Sequence, residues 1–178
     1  MPVFRLSNNL KYYTWGSPEF IPRLLGRIPD QSKPVAEMWM GAHPVTSSRI
    51  WIEDNQVSLR DYIQKYPSQT LGRAARARGG GLPFLMKVLA AAQPLSIQAH
   101  PCLGDAKNGF ERENALNIPL DSPLRNYKDA NHKPEMICAL TPFRALCGFR
   151  PYAEVIRNFR NHGLALFFSG LSALETDP

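Results

Sequence analysis

Polar and apolar residues alternate through two short segments of this sequence, and this alternation limits the fold more than any other feature. In residues 95–100, Ser96, Gln98 and His100 alternate with three apolar side chains. Residues 36–43 alternate in the same way. Because successive residues of a β-strand point to opposite faces, both segments predict strands with one apolar and one polar face.

The remaining elements are predicted to be short, because sixteen prolines and twelve glycines interrupt the chain. Ser58 opens a helix that ends before Pro67, since Ser58 and Asp61 have the spacing of a helix cap. Beyond residue 150 the pattern becomes helical, which predicts domains at 1–150 and 151–178. We predict strands at 12–16, 36–43, 49–53, 82–90, 95–100, 135–143 and 144–149, and further helices at 71–78, 104–117 and around 152–159.

The composition excludes several classes of protein. The sequence has 178 residues, which is enough for one domain with a core, and no apolar run reaches the ~18 residues of a membrane span. The first residues lack the apolar stretch of a signal peptide, so we expect a cytoplasmic protein. The three cysteines form no CxxC pair, which favours a reducing compartment over a disulfide framework.

The chain is basic, with a net charge of +6 and a pI of about 9.4. This charge fits either nucleic acid or a small phosphorylated substrate. The densest basic run, Arg73, Arg76 and Arg78, has no interleaved aromatic residues that could stack on bases. We therefore expect no nucleic-acid partner. A basic nucleic-acid-binding module is the weakest interpretation of this sequence, behind an enzyme and a non-catalytic binding protein.

One group of residues has the chemistry of a metal site. Gln98 and His100 share a face of the predicted strand, and Glu135 opens another predicted strand directly after His132 and Lys133. An imidazole, an amide oxygen and a carboxylate suit a divalent transition metal. By spacing alone, however, a strand with one solvent-facing polar side is the commoner explanation. The sequence does not decide whether the two segments meet.

Lys87 is the most unusual charged residue, because it stands alone in the apolar segment 82–90. A buried ammonium needs a partner or a polar cavity, although a lysine on an edge strand can also reach solvent. His43 is more simply a structural histidine. Trp15 and Trp39 are typical core residues, and an aromatic beside a sugar site is the alternative.

Five segments of the sequence, in order, resemble those of the type I mannose-6-phosphate isomerases, also called phosphomannose isomerases. The resemblance covers residues 4–160, and residues 163–178 match no pattern of the family. The five segments are residues 13–16, 36–44, 82–89, 93–101 and 126–135.

The resemblance implies a mainly β protein with α-helices. Its core would be a cupin-type (jelly-roll) β-barrel, incomplete in this chain, followed by the start of a helical insertion from residue 151. It also implies one Zn²⁺ per chain, held by Gln98, His100 and Glu135. The family interconverts mannose 6-phosphate and fructose 6-phosphate through a cis-enediol and feeds GDP-mannose synthesis.

The same resemblance suggests roles for neighbouring residues. Lys133 and His132 are the candidates for proton transfer, and strand geometry favours Lys133, which shares a face with Glu135. The partner is a small sugar phosphate, with no nucleic acid and no membrane, and the full-length protein is expected to be a monomer. The candidates for substrate binding are Ser96, Lys87, Trp15 and Glu37.

The chain departs from the family in one respect. The family's fourth zinc ligand is a histidine far downstream, followed by an active-site arginine, and neither has a counterpart here. We therefore expect the N-terminal portion of an isomerase with little or no activity of its own. The alternative is a non-catalytic metal-binding or sugar-sensing cupin remnant that shares the three ligands.

Overall fold

The computed structural model describes residues 3–73 and 81–171. The chain forms two compact units, Met1–Ala99 and His100–Pro178. Among the described residues, no helix combines the length and the apolar composition that crossing a bilayer requires. The predicted helix at 71–78 lies largely outside the described residues.

The first unit contains two antiparallel three-stranded sheets. In one sheet the central strand β4 pairs with β1 and β5, and in the other the central strand β3 pairs with β2 and β6. The elements are β1 (Leu6–Ser7), β2 (Asn9–Lys11), α1 (Phe20–Leu24), β3 (Glu37–Met40), β4 (Arg49–Ile52), β5 (Asn55–Ser58), α2 (Leu59–Lys65), α3 (Pro67–Thr70) and β6 (Met86–Leu89).

One face of the β2–β3–β6 sheet carries the core of this unit. Met38 on the central strand is buried with Ile21 and Val35, and the partly buried Leu10 and Val88 pack against them from β2 and β6. Each such side chain contributes about 1.5–3 kcal/mol when fully buried. The strand predicted at 36–43 is confirmed in part: β3 covers only Glu37–Met40, and Met38 faces the core from this strand.

Local sequence explains the hairpin and the helix that follow. β4 and β5 pair up to Ile52 and Asn55, so the hairpin turn consists of Glu53 and Asp54, and Glu53 adopts a φ of 53°. Ser58 then caps α2, because its hydroxyl accepts a hydrogen bond from the Asp61 N–H at 3.3 Å. The predicted strand at 49–53 and the capped helix are both confirmed.

Gly16 is a position where any side chain would collide with backbone. A Cβ there would lie 2.6 Å from the Ala36 nitrogen and 2.7 Å from its Cα. We therefore expect Gly16→Ala to destabilise the first unit by about 1–3 kcal/mol, since backbone atoms cannot turn away as a side chain can. Urea denaturation would measure the change. Gly72→Ala is the control, because a Cβ at that position would meet no atom within 4 Å, and an equal loss in both variants would contradict the explanation.

The second unit is helical. α4 (Leu103–Ala115) begins at Cys102, whose Sγ accepts a hydrogen bond from the Asp105 N–H at 3.5 Å. α5 (Tyr152–Asn161) follows a long segment without regular structure and leads into two 3₁₀ turns, Leu164–Phe167 and Ser169–Leu171. The helices predicted at 104–117 and around 152–159 are confirmed.

Four strand predictions are wrong in whole or in part. Residues 12–16 form a turn in which the Gly16 N–H donates to the Tyr13 carbonyl at 2.9 Å. Residues 95–100, 135–143 and 144–149 contain no strand. An alternating or apolar pattern does not make a strand unless a neighbouring strand accepts its backbone hydrogen bonds. No described strand lies beside these segments.

The strand predicted at 82–90 is shorter and more exposed than expected. β6 covers only Met86–Leu89, and Met86 is 60% exposed, so the strand is not buried on both faces. The described residues thus show small antiparallel sheets with helices. The predicted barrel and the domain boundary at residue 150 stay predictions.

Candidate functional site

A cluster of charged and aromatic side chains covers the second face of the β2–β3–β6 sheet. The register pairs Lys11 with Glu37 and Trp39 with Lys87, so all four side chains share one face. The Trp39 indole N–H donates to Glu37 Oε2 at 2.7 Å. This bond holds the carboxylate of Glu37, a buried residue, in a defined position.

Two lysines flank the indole ring of Trp39. Lys11 Nζ lies 4.6 Å and Lys87 Nζ 4.8 Å from the ring centroid, which is the range of cation–π contacts. Lys87 Nζ also lies 3.8 Å from Glu37 Oε1, with 37% of its side chain exposed. Lys87 therefore has the charged partner that its place in the sequence requires.

His43 closes one side of this cluster as a structural histidine. Its ring meets the Trp39 ring edge-on, with the centroids 4.9 Å apart, and its Nδ1 accepts from the Val45 and Thr46 N–H groups at 3.2 and 3.3 Å. Burial lowers the pKa of His43 below its usual 6.5, and the charges of Lys11, Lys87 and Arg60 lower it further.

We expect the first unit to lose stability as the pH falls below about 6.5, because the unfolded chain then takes up a proton that folded His43 resists. The contribution of neutral His43 to the stability of the first unit is complete above pH 6.5. It declines as the pH falls toward the lower pKa that His43 has in the folded chain. Urea denaturation from pH 8 to pH 5, compared with His43→Gln, would measure it. In NMR titrations Lys11→Met should raise the pKa of His43, and an unchanged value would contradict this account.

The second unit contains a buried ion pair between α4 and the loop that follows it. Arg125 Nε lies 3.2 Å from Glu113 Oε2, and both side chains are at most 5% exposed. The guanidinium also donates to two carbonyls of the loop, Ile118 O at 2.9 Å and Tyr127 O at 2.6 Å. On α4 it donates to Asn114 Oδ1 at 2.6 Å and to Phe110 O at 3.4 Å.

The Glu113 carboxylate is held from the opposite side. It accepts hydrogen bonds from the backbone N–H groups of Asn126 and Tyr127 and from the Asn126 amide. Burial by itself would raise the pKa of Glu113, but these hydrogen bonds and the charge of Arg125 outweigh burial and lower the pKa. The loop is thus tied to α4 at residues 125–127.

The segment after this loop reaches the predicted metal ligand His100. His100 Nδ1 lies 2.9 Å from the Lys133 carbonyl oxygen, and Lys133 Nζ lies 3.5 Å from Asp129 Oδ2. A carbonyl oxygen can only accept, so the imidazole must carry its proton on Nδ1. The lone pair of Nε2 is then available to a metal, as in many metal-binding histidines.

The structure places the predicted site residues in two groups. Glu37 and Lys87 are in direct contact, and His100 contacts Lys133. Ser96, Gln98, His132 and Glu135 are exposed and lie outside regular structure. Among the described residues no three His, Cys, Asp or Glu side chains are grouped for a metal. Gln98, His100 and Glu135 include only two residues of these types, so this ligand set stays a prediction.

Trp15 is held mainly through its backbone. Its carbonyl oxygen accepts from the Ala92 and Gln93 N–H groups at 2.8 and 3.2 Å, and its ring stacks on Tyr13.

A cavity of about 330 Å³ lies elsewhere in the first unit, and none of the predicted site residues lines it. Its walls are Asn9, Pro44, Val45, Thr46, Ser47, Arg49, Ser58, Arg60 and Asp61.

The sequence interpretation missed three residues that organise these groups. Lys11 belongs to the Trp39 cluster through strand register, which no local pattern reveals. Glu113 and Arg125 are separated by a loop, and only the folded chain shows that both are buried together. Arg125 follows the apolar Leu124 in the sequence, but one apolar neighbour is only a weak signal that a charged residue is buried.

Comparison with known proteins adds the family context. Residues 3–152 match the family model of the phosphomannose isomerase type I catalytic domain. The mannose-6-phosphate isomerase of Salmonella typhimurium is 50% identical over 153 residues, which cover 85% of this chain and 39% of that protein. The human mannose-6-phosphate isomerase is 41% identical over 165 residues, covering 86% of this chain and 36% of the relative.

Solved structures give the same picture. The Salmonella typhimurium mannose 6-phosphate isomerase bound to its substrate, fructose 6-phosphate, and to zinc has a TM-score of 0.80 and 45% identity, over 96% of this chain and 46% of that one. A zinc-bound holo mannose 6-phosphate isomerase has a TM-score of 0.81 with the same identity and coverage. The chain therefore spans less than half the length of these relatives.

Proposed function

We propose that this chain, which belongs to the type I phosphomannose isomerase family, supplies the zinc-binding and proton-transfer part of an aldose–ketose isomerase. The substrates are mannose 6-phosphate and fructose 6-phosphate, which interconvert through a cis-enediol. The crystal structure of the relative with fructose 6-phosphate and zinc supports this substrate class. We propose a cupin-type barrel as the fold of this isomerase.

The contact between His100 Nδ1 and the Lys133 carbonyl carries this proposal. It leaves the lone pair of His100 Nε2 available to a metal, and the zinc-bound structures of relatives support zinc as that metal. We propose that Gln98 and Glu135 supply the oxygen ligands, which are donor types that zinc accepts in proteins. When bound, zinc would stabilise negative charge on an enediolate oxygen of the substrate.

We propose Lys133 as the residue that moves the proton between C1 and C2 of the open-chain sugar, with His132 as the alternative. The Lys133 backbone touches the proposed ligand His100, whereas no contact ties His132 to this group in the described residues. The Lys133 side chain is 53% exposed, although its Nζ lies 3.5 Å from Asp129 Oδ2, so a substrate can reach the ammonium. A positioned acid–base group of this kind contributes about 10²–10⁴-fold to the rate.

Four further residues are proposed to bind the substrate. Lys87 is held against Glu37 and Trp39, so its ammonium is oriented to meet a phosphate or hydroxyl oxygen. Glu37, Ser96 and Trp15 complete this proposed set. The non-catalytic cupin remnant is less favoured, because the named relatives are isomerases.

A coupled assay of mannose 6-phosphate conversion tests the proposal. This chain alone should show little or no turnover, since it spans 39% of the Salmonella relative. A chimaera in which residues 3–152 replace the matching part of that relative should be active. In the chimaera, Lys133→Met should lower kcat by about 10²-fold or more.

Lys128→Met is the matched control, because Lys128 is an exposed lysine of the same segment. It should retain kcat. A folded chimaera that binds zinc but converts no substrate would refute the proposed function, and equal kcat values for the two lysine variants would exclude Lys133 as the proton-transfer residue.

A further inference from the structure

We infer that Glu113 and Arg125 are positioning residues of the proposed zinc site. They hold the segment 126–135 so that the Lys133 carbonyl selects the metal-binding tautomer of His100. This inference rests on the proposed function for its purpose, but the geometry that carries it is independent of any metal.

Arg125 connects α4 with the loop that follows it. Its side chain is fully buried, and each of its three nitrogens has an oxygen partner. The partners belong to both α4 and the loop, so the hydrogen bonds of the planar guanidinium hold these two elements together. A lysine has a single ammonium and cannot reproduce this fork.

Further contacts connect the Glu113–Arg125 ion pair with the segment that contains Lys133. Glu113 accepts the backbone N–H groups of Asn126 and Tyr127, which fixes the start of the segment. A few residues later Asp129 accepts the Asn131 N–H at 2.9 Å and pairs with the Lys133 ammonium. The path from the buried pair to the Lys133 carbonyl is therefore only a few residues long, and Glu113 fixes its start.

The Lys133 carbonyl determines which nitrogen of the His100 imidazole carries the proton. A neutral histidine in water carries its proton mainly on Nε2, which would block that nitrogen as a ligand. The Lys133 carbonyl reverses this preference by accepting from Nδ1 of His100. If the Glu113–Arg125 ion pair is lost, the segment 126–135 moves and the Lys133 carbonyl no longer faces His100 Nδ1. The imidazole then returns to the tautomer that carries its proton on Nε2 and cannot bind a metal there.

Nitrogen-15 NMR of the histidine side chains tests this in the metal-free chain at alkaline pH. In the wild type, His100 should carry its proton on Nδ1. In Glu113→Gln and in Arg125→Lys, the Nδ1-protonated population should fall by at least half. Glu111→Gln is the control, because it removes an exposed carboxylate from the same helix, and it should match the wild type.

A zinc titration gives the second readout. Zinc affinity should fall by about 10–100-fold in Glu113→Gln relative to Glu111→Gln. Should Glu113→Gln fail to fold, Asn126→Ala removes a single hydrogen bond to the same carboxylate and makes the comparison in a milder variant.

The outcomes separate the two proposals. A wild-type His100 protonated on Nε2, or folded variants with an unchanged tautomer, would overturn the inference. A wild-type chain that binds no zinc would count against the proposed function, and the tautomer measurement would still decide the inference. Circular dichroism and unchanged backbone NMR signals of α4 would verify that each variant is folded.

Discussion

Replacing His100 with alanine is expected to lower the zinc affinity of this chain on the order of 100-fold or more. The change removes the one imidazole of the proposed ligand set, whereas even outer partners of a ligand change affinity by about 10–100-fold. Metal analysis after zinc loading and dialysis would measure the stoichiometry, and competition with a chelator would measure the affinity.

His162→Ala is the control for this experiment. His162 is also an exposed histidine, but it follows α5 and belongs to no proposed ligand set. It should retain the wild-type zinc content. Full retention of stoichiometric zinc by the His100→Ala chain would remove His100 from the ligand set.

Arg125→Met should destabilise the second unit by about 3–5 kcal/mol, because it removes one partner of a buried ion pair. The Glu113 carboxylate would stay buried without its counter-charge, and carbonyls of the loop would lose their donor. For a chain of this size the loss corresponds to a fall in Tm of about 10 °C. Thermal and urea denaturation followed by circular dichroism would measure it.

The loss of stability in Arg125→Met should depend on pH, because Glu113 titrates. Its pKa is lowered in the folded chain, so its stabilising contribution is present at neutral pH and is lost as the pH falls below about 4.5. The difference between Arg125→Met and the wild type should therefore shrink in acid. Lys107→Met, at an exposed position of α4, should behave like the wild type throughout. A loss of stability as small as that of Lys107→Met would contradict the bracing role of Arg125.

Elements whose signals lie within a few residues could be predicted well. α2 follows from the cap at Ser58 and the proline at 67, and α4 and α5 follow from continuous helical patterns. These elements satisfy their backbone hydrogen bonds internally, so a short segment contains most of the information that determines them. Of the hairpin between β4 and β5, only the strand at 49–53 is predicted, and β5 is known only from its pairing with β4 in the folded chain.

Strands that depend on distant partners could not be predicted in this way. Residues 36–43 and 95–100 alternate alike, yet only the first segment contains a strand, β3, because β2 and β6 pair with it on both sides. Residues 95–100 have no such neighbour among the described strands. Alternation reports which face of a strand is apolar, but it does not supply the hydrogen-bonding partner.

The candidate site divides in the same manner. Its chemistry can be read from the amino-acid sequence: an imidazole, an amide and a carboxylate at Gln98, His100 and Glu135, and the family to which the chain belongs. Which groups touch is known only from the folded chain. The contact of His100 with Lys133 and the burial of Arg125 against Glu113 join residues far apart in the chain. Such contacts depend on packing and on the burial of charge, which no local pattern of residues specifies.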